Sequence, residues 1–439
     1  MPKKKTALTI EERLQQALVP AEEQPYAVPE NWVWVRLESV ASWGSGGTPS
    51  RKHEEYYNGD ILWIKTGELN NGWIYDTEEK ITDEGLKKSS AKLFPPYSVL
   101  IAMYGATIGK VAILGVPATT NQACACAVCN QSLFYMYLFY YCISQKNVFI
   151  EKGKGGAQPN ISQIILKQHP IPLPPLSEQQ RIVERIEELF AKLDEAKERL
   201  QEVADSFAVR KAAILHNAFT GELTKQWRRE NGVRDESWEE KKLSEITENQ
   251  DSKRIPLSKS QRDNMNRIYD YYGASGIIDK VDDYIFEGKK LLIGEDGANL
   301  VTRSKDIAFI ADGKYWVNNH AHILDVKDTV LLMYLCNYIN NMDLIPYVTG
   351  SAQPKLTQAK MNNIKIFLPT LPEQHEIVRL IDDLLARERA AQQAAEQALA
   401  SIDLMKKSIL ARAFRGELGT NKASEASALE LLKQVLAEN

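Results

Sequence analysis

Gly105-Ala106-Thr107-Ile108-Gly109-Lys110 carries the residue types of a phosphate-cradling loop. That chemistry needs four residues between the glycines, and a Ser or Thr after the lysine to reach magnesium. Here three residues separate the glycines and Val111 follows the lysine, so nucleotide binding is not expected. Cys124, Cys126 and Cys129 crowd one apolar run but have no second pair at zinc-finger spacing. His320 and His322 are their only rough counterpart and lie in the other half, so no metal site is expected. Glu287-Gly288-Lys289 resembles the acidic-to-basic end of a nuclease motif, yet Asp282 and Asp283 stand too near it. There is no Asp/Asn-Pro-Pro-aromatic run of the kind adenine methyltransferases use, and no Ser/His/Asp grouping stands out. The chain reads as non-catalytic by itself.

Other residues suit nucleic acid. Residues 251–267 hold five basic side chains against two acidic ones, and Tyr269, Tyr271 and Tyr272 follow. Basic groups neutralise phosphates, while amides and aromatics reach base edges. A solvated loop is the plainer reading of the same stretch. In the first half, Arg51, Lys52 and His53 follow the turn Gly44-Ser45-Gly46-Gly47-Thr48-Pro49, and Lys152 and Lys154 precede Gln158. That turn is either structural or a loop whose backbone can approach a ligand.

The elements that must position these residues come as a duplication. Residues 176–223 and 371–418 repeat each other at an offset of 195, and the match extends upstream to Gly155 and Gly350. Across 155–223, 26 of 69 aligned positions are identical, which fixes a two-part repeated plan. Prolines punctuate the start of each run and acidic residues follow, as suits a first helical turn. Ile182, Ile186, Leu189, Leu193, Ala196, Leu200, Val203, Phe207 and Ile214 step by fours and threes, with Arg210 as the interruption. The second copy has Ile377, Ile381, Leu384, Ala391, Ala395, Ala398, Ile402, Met405 and Ile409, with Glu388 as the exception. One seam is bulky where the other is small, so the two helices are expected to pair with each other, antiparallel and within one chain.

Both intervening regions read as mixed α/β. Ile61–Ile64 and residues 99–103 are expected as strands in the first, and residues 291–293 and 307–310 in the second. Residues 134–143 read as a buried helix or a strand, with helix favoured, and residues 331–339 match them. The predicted organisation is an N-terminal helix and linker (1–25), a first globular domain (26–175), a first helix (176–228), a second globular domain (229–370), a second helix (371–418) and a tail (419–439). The fold class is α+β: two globular α/β domains in pseudo-twofold repeat, separated by two long antiparallel coiled-coil helices.

At 439 residues the chain has ample core for two domains or three. Five cysteines, odd in number, fit a reduced interior and not a disulfide framework. No run is apolar enough for a signal peptide or a membrane span, so a cytoplasmic protein is expected. A formal net charge of −4 argues against a strongly basic DNA-binding domain. Any DNA site here must be a local patch, or must share the electrostatic load with partners.

Over nearly its whole length the sequence resembles the specificity subunits of type I restriction–modification enzymes. Leu176-Ser177-Glu178-Gln179 and Leu371-Pro372-Glu373-Gln374 carry that resemblance, as do the helix exits 218–223 and 413–418. Gly46-Gly47-Thr48-Pro49, residues 104–109, Tyr272-Gly273-Ala274-Ser275-Gly276, Glu295-Asp296-Gly297-Ala298-Asn299 and both Ala-Gln-Pro loops match in the same order. The resemblance implies that each globular domain reads half of a split, asymmetric double-stranded DNA target. The helices would dock two adenine methyltransferase (modification) subunits, and restriction/translocase subunits would join through them. It implies no cofactor in this chain: S-adenosylmethionine belongs to the methyltransferase partner, ATP and magnesium to the restriction partner. Within that frame the candidate DNA contacts are Gly47, Thr48, Arg51, Lys65, Tyr104, Lys110, Lys154 and Gln158 in the first domain. In the second they are Lys253, Arg254, Tyr272, Lys289, Gln353 and Lys355. The competing reading is a non-catalytic coiled-coil scaffold that joins protein partners without reading DNA.

Overall fold

The computed structural model describes residues 9–153, 159–350 and 352–438. The chain divides into two compact units: unit 1 takes residues up to 199 and from 398 onward, and unit 2 takes 200–397. The division falls in the middle of both long helices, where the sequence reading had set the helices apart as segments of their own. Each unit therefore owns the start of one helix and the exit of the other.

The first long helix runs Leu176–Asp205 and resumes as Phe207–Phe219. The second runs Leu371–Ala413 without interruption, 43 residues, or roughly 65 Å at 1.5 Å per residue. Inside each unit the two helical pieces pack antiparallel. In unit 1 Lys406 Nζ meets Asp194 at 2.5 Å and lies over the Phe190 ring. In unit 2 Arg210 Nε donates to Glu388 at 2.8 Å. The two charges that interrupt the apolar stripes thus face each other.

The seam residues Ile182, Ile186, Phe207, Ile377, Ile381 and Ile402 are buried. Leu189, Leu200, Leu384 and Ile409 are half-buried. Three stripe positions depart from expectation: Ala391 is exposed, Val203 is 43% and Met405 48% exposed. Toward the exits the buried residues are Leu215 and Leu410, one place after Ile214 and Ile409. A straight helix drifts about 20° per heptad against a 3.5-residue repeat, so the buried stripe slips off the a/d positions within a few turns.

The globular part of unit 1 holds a five-stranded sheet in the order Ala41–Ser45, Cys124–Cys129, Val99–Ala102, Val111–Leu114, Trp73–Ile74. Beside it lies a three-stranded sheet of Lys80–Ile81, Tyr57–Ile64 and Thr119–Thr120. Unit 2 has a four-stranded sheet of Glu248–Asn249, Ala321–Asp325, Lys290–Gly294 and Ala308–Ala311. Its second sheet joins Gly276–Val281, Tyr269–Gly273, Lys314–Val317 and Phe286–Glu287. The apolar strand runs are buried on both faces, Val99–Ala102 and Val111–Leu114 at every position. The matched helices form as expected, at Tyr135–Ser144 and Thr329–Asn341.

A two-stranded ribbon closes each domain onto its helix start: Val33–Arg36 with Pro170–Leu173 in unit 1, Glu239–Lys242 with Lys365–Leu368 in unit 2. Each helix exit then seals the domain. Phe414 packs edge-on against Tyr137 and Tyr141 at 5.2 and 5.0 Å, and Phe219 against Tyr334 and Tyr338 at 5.4 and 5.0 Å. The repeated Ala-Phe is thus explained by packing: an aromatic tip fills the same socket twice.

Under each ribbon sits a buried helix-start glutamate. Glu178 accepts from Trp32 Nε1 at 2.8 Å and from Asn421 Nδ2 at 2.9 Å. Glu373 accepts from Trp238 Nε1 at 3.0 Å, from Thr224 at 2.7 Å and from the buried Arg228 guanidinium at 2.7 Å. Burial raises the Glu178 carboxyl above its ordinary range, although the Trp32 and Asn421 hydrogen bonds work against it.

Candidate nucleic-acid interface

In unit 1, strand Val99–Ala102 runs out into Met103 and Tyr104, then a tight turn at Gly105–Thr107. Gly105 has φ +63°, a left-handed conformation that favours glycine, and a Cβ there would point into open space. The Gly105 N–H donates to the Pro159 carbonyl at 3.0 Å, and the Ile161 N–H donates to the Met103 carbonyl at 2.9 Å. Met103 N–H donates to Ala123 at 2.9 Å. The turn, the segment after 158 and the start of strand Cys124–Cys129 are therefore one fixed group. Thr48 Oγ1 donates to Gln122 at the same end of the sheet. The Tyr104 ring is 42% exposed there.

Unit 2 repeats this backbone. Gly297 (φ +110°) donates to the Pro354 carbonyl at 3.0 Å, Leu356 N–H to the Glu295 carbonyl at 2.7 Å, and Glu295 N–H to His320 at 2.8 Å. The correspondence continues in the second sheet, where Asn121 N–H meets the Ile64 carbonyl in unit 1 and Asn318 N–H meets the Tyr272 carbonyl in unit 2, both at 3.0 Å. Gly350 shapes the unit 2 loop: at φ +83° a Cβ would stand 2.6 Å from the Gln353 carbonyl oxygen.

The expected contact residues divide sharply on this frame. Tyr104, Lys110, Gln353 and Lys355 lie in or beside the paired loops. Lys154 and Gln158 fall outside the described residues. Gly47 and Thr48 sit at the same sheet end, but the space a Gly47 Cβ would need is filled by Ser90, and Gly46 is pressed on the Thr120 carbonyl. Those glycines serve the protein's own packing. Arg51 and Lys65 share Glu79, at 2.7 and 3.0 Å, and Arg51 also lies over Tyr57 at 4.3 Å. Lys253 is exposed on the turn Asp251–Lys253.

Three residues stand apart from what the sequence suggested. Arg254 is drawn inward: its guanidinium binds Glu295 and the Ala321 carbonyl at 2.8 and 2.7 Å and lies 3.4 Å from Asp251. Arg262 of the same stretch pairs with Asp279 at 2.9 Å and Arg267 lies 3.9 Å from the same carboxylate, so three of the five cations already face carboxylates. Tyr272 is buried against Phe309 and Tyr315. Lys289 precedes strand Lys290–Gly294 and lies at the opposite end from Glu295. Paired carboxylates compete with phosphate for the same guanidinium, which a count of basic residues cannot reveal.

The sequence reading missed the carboxylates and imidazoles behind the unit 2 loop. His322, 1% exposed, sets Nδ1 on Asp251 at 2.6 Å and Nε2 on the Leu356 carbonyl at 2.7 Å. Lys355 Nζ reaches Glu295 at 3.1 Å. His320 Nδ1 lies 2.8 Å from Asp296 at the loop surface. Burial pushes the Asp251 and Glu295 carboxyls up, but the His322 contact on Asp251, and the Arg254, His322 and Lys355 contacts on Glu295, prevail and leave both below the ordinary range. No local spacing flagged this cluster, since Asp251 and His322 are 71 positions apart.

Two α/β domains in tandem, each closed by antiparallel pieces of two duplicated long helices, define the architecture. The type I restriction modification DNA specificity domain matches residues 29–205 and 235–398, and the chain belongs to that family. The EcoprrI specificity subunit of Escherichia coli is 28% identical over 367 residues, covering 80% of this chain and 86% of that one. A Haemophilus influenzae sequence named as a type I restriction enzyme specificity subunit is 40% identical over 147 residues, which span 33% of this chain and 37% of the relative. The crystal structure of the HsdS subunit from Thermoanaerobacter tengcongensis shares the fold, with a TM-score of 0.65, 19% identity, and coverage of 90% of this chain and 99% of that one. Among the described residues, no helix is long and apolar enough to cross a membrane.

Proposed function

We propose that this chain is the DNA-reading subunit of a type I restriction–modification assembly, in which each unit reads one half of a split, asymmetric target. One observation carries the reading: the two units hold the same paired-loop backbone at the same sheet end, yet dress it with different side chains. A shared frame with divergent surfaces is what two different half-sites require. The net charge of −4 and the carboxylate pairing of Arg51, Lys65 and Arg254 weaken this chain's own hold on phosphate, so phosphate neutralisation is shared with partner subunits. The long helices dock two methyltransferase subunits, which supply S-adenosylmethionine and act on an adenine turned out of the duplex. Restriction subunits, with ATP and magnesium, join through them. Tyr104, Lys110, Lys253, Gln353 and Lys355 face the DNA in this reading, and Arg254 supports the loop from behind.

The test is genome-wide mapping of methylated adenines in cells that express this chain with its modification subunit. A split motif with one adenine marked per half, on opposite strands, supports the reading. Unchanged methylation with both proteins folded and co-purifying supports the protein scaffold instead. The helices also set the gap between half-sites. Four residues inserted near Ala398, about one turn, lengthen the unread gap, and an active variant with the original gap would refute that role.

A further inference from the structure

Four aromatic side chains of unit 1 meet at its surface, where strand Trp73–Ile74 comes beside the start of helix Tyr135–Ser144. The Tyr75 ring stacks on Trp73 at 6.1 Å, and Tyr97 stands edge-on to Trp73 at 6.2 Å. Tyr135 closes the group, 4.9 Å from Tyr97 and 6.0 Å from Trp73. Tyr75 is 63% and Tyr97 56% exposed, so one side of the cluster is bare. The backbone is shaped to keep it so. Tyr97 has φ +66°, a left-handed conformation that disfavours a bulky side chain. A Cβ at Gly115 would stand 2.2 Å from the Tyr75 ring, so glycine makes the room in which that ring lies.

The first long helix brings a charge to the same place. Glu187 is exposed, and Tyr140 Oη lies 3.5 Å from its carboxylate. Its neighbour Glu188 is paired with Arg185 and Lys192, whereas among the described residues no cation pairs with Glu187. Burial, then the Tyr97 hydroxyl, the Glu187 carboxylate and the Tyr75 hydroxyl, push the Tyr135 hydroxyl above its ordinary range, so all three groups reach Tyr135. Aromatic faces attract a guanidinium or ammonium, most strongly where it is drawn out of water. With a carboxylate at the rim, the cluster suits a cation and repels DNA phosphate. Counting from the matched Tyr137 and Tyr334, the place of Tyr135 in unit 2 is held by Leu332, 1% exposed, so the arrangement belongs to unit 1.

We propose that Trp73, Tyr75, Tyr97 and Tyr135 form a receptor for an arginine or lysine side chain of a modification subunit, with Glu187 as its counter-charge. The occupant follows from charge and from continuity: Glu187 lies on the first long helix, which the reading above gives to a modification subunit. The proposal rests on that reading. Since the cluster has no counterpart in unit 2, it strengthens one docking place and leaves the other as it is.

The experiment titrates the full chain with its modification subunit and follows the two binding steps by native mass spectrometry. Tyr97→Gly removes a ring and relieves the backbone, so it should unfold at a temperature equal to or above that of wild type. One binding step should nevertheless weaken about tenfold, the scale of one desolvated cation–π contact, while the other does not move. Tyr75→Phe keeps the ring face and should bind as wild type does. Tyr75→Leu keeps apolar bulk without the face and should weaken the same step. Glu187→Gln should weaken it too, and lessen its dependence on salt. Unchanged steps in Tyr97→Gly, equal weakening of both steps, or equal binding by Tyr75→Phe and Tyr75→Leu would overturn the proposal. A wild-type chain that takes up no modification subunit would sink the assembly reading instead, and the two failures are told apart.

Discussion

Behind the recognition loop of unit 1 lie Met103, Ala125 and Ile161; behind that of unit 2 lie Glu295, His322 and Leu356. The backbone bonds are the same in both. The helix starts differ in the same way: Glu178 meets neutral donors, whereas Glu373 meets a buried guanidinium. Duplication preserved the hydrogen-bond geometry of the main chain, which any side chain can share, and let the side chains behind it settle into either apolar packing or ion pairs. The lesson is that a repeated fold does not imply a repeated sensitivity to pH or salt. Apolar packing has no charge to titrate; the ion pairs of unit 2 do.

The contrast can be broken most forcefully at the helix starts. Arg228→Met strands the Glu373 charge in a buried site, and should cost about 3–5 kcal/mol in equilibrium denaturation. Trp32→Phe removes a neutral donor from Glu178, and should cost about 1–3 kcal/mol. Equal losses would mean that the two starts are energetically alike after all. The seams should not differ: Ile186→Ala in unit 1 and Ile381→Ala in unit 2 should each cost about 2–5 kcal/mol, since both side chains are fully buried. Met405→Ala, on an exposed stripe position, should change stability by less than about 0.5 kcal/mol.

Acid should separate the units next. Asp251 and Glu295 have folded values below their ordinary ones, so their contribution is present at neutral pH and is lost as pH falls through the folded values. Hydrogen exchange should show the 352–356 segment loosening in acid before the 159–161 segment, which has no such carboxylates behind it. The smallest effect concerns Glu178. Its folded value is raised, so the stability it contributes is lost as pH rises. Glu178→Gln should then leave neutral-pH stability unchanged or slightly higher, whereas Glu373→Gln should lower it, because the buried ion pair between Glu373 and Arg228 is broken. Denaturant midpoints of the two variants check the sign.

The sequence by itself determined the plan. The offset of 195 exposed the duplication, and the spacing of apolar residues set the two long helices and their pairing, because helical burial repeats along the chain at fixed intervals. The main strands were legible as apolar runs bounded by turn signals, whereas the run at 134–143 could be read as helix or strand until the structure gave the helices Tyr135–Ser144 and Thr329–Asn341. The glycine-bearing turns at 105 and 297 were legible as signals, but not as partners of the Ala-Gln-Pro loops. Only the tertiary structure decided which charges are free. Arg254, Arg51 and Lys65 read as phosphate ligands in the sequence and prove to be held by carboxylates. Asp251, Glu295 and His322 gave no sign of acting together. A local pattern reports periodic burial; it carries no record of which side chains, tens of residues apart, the fold brings within 3 Å of each other.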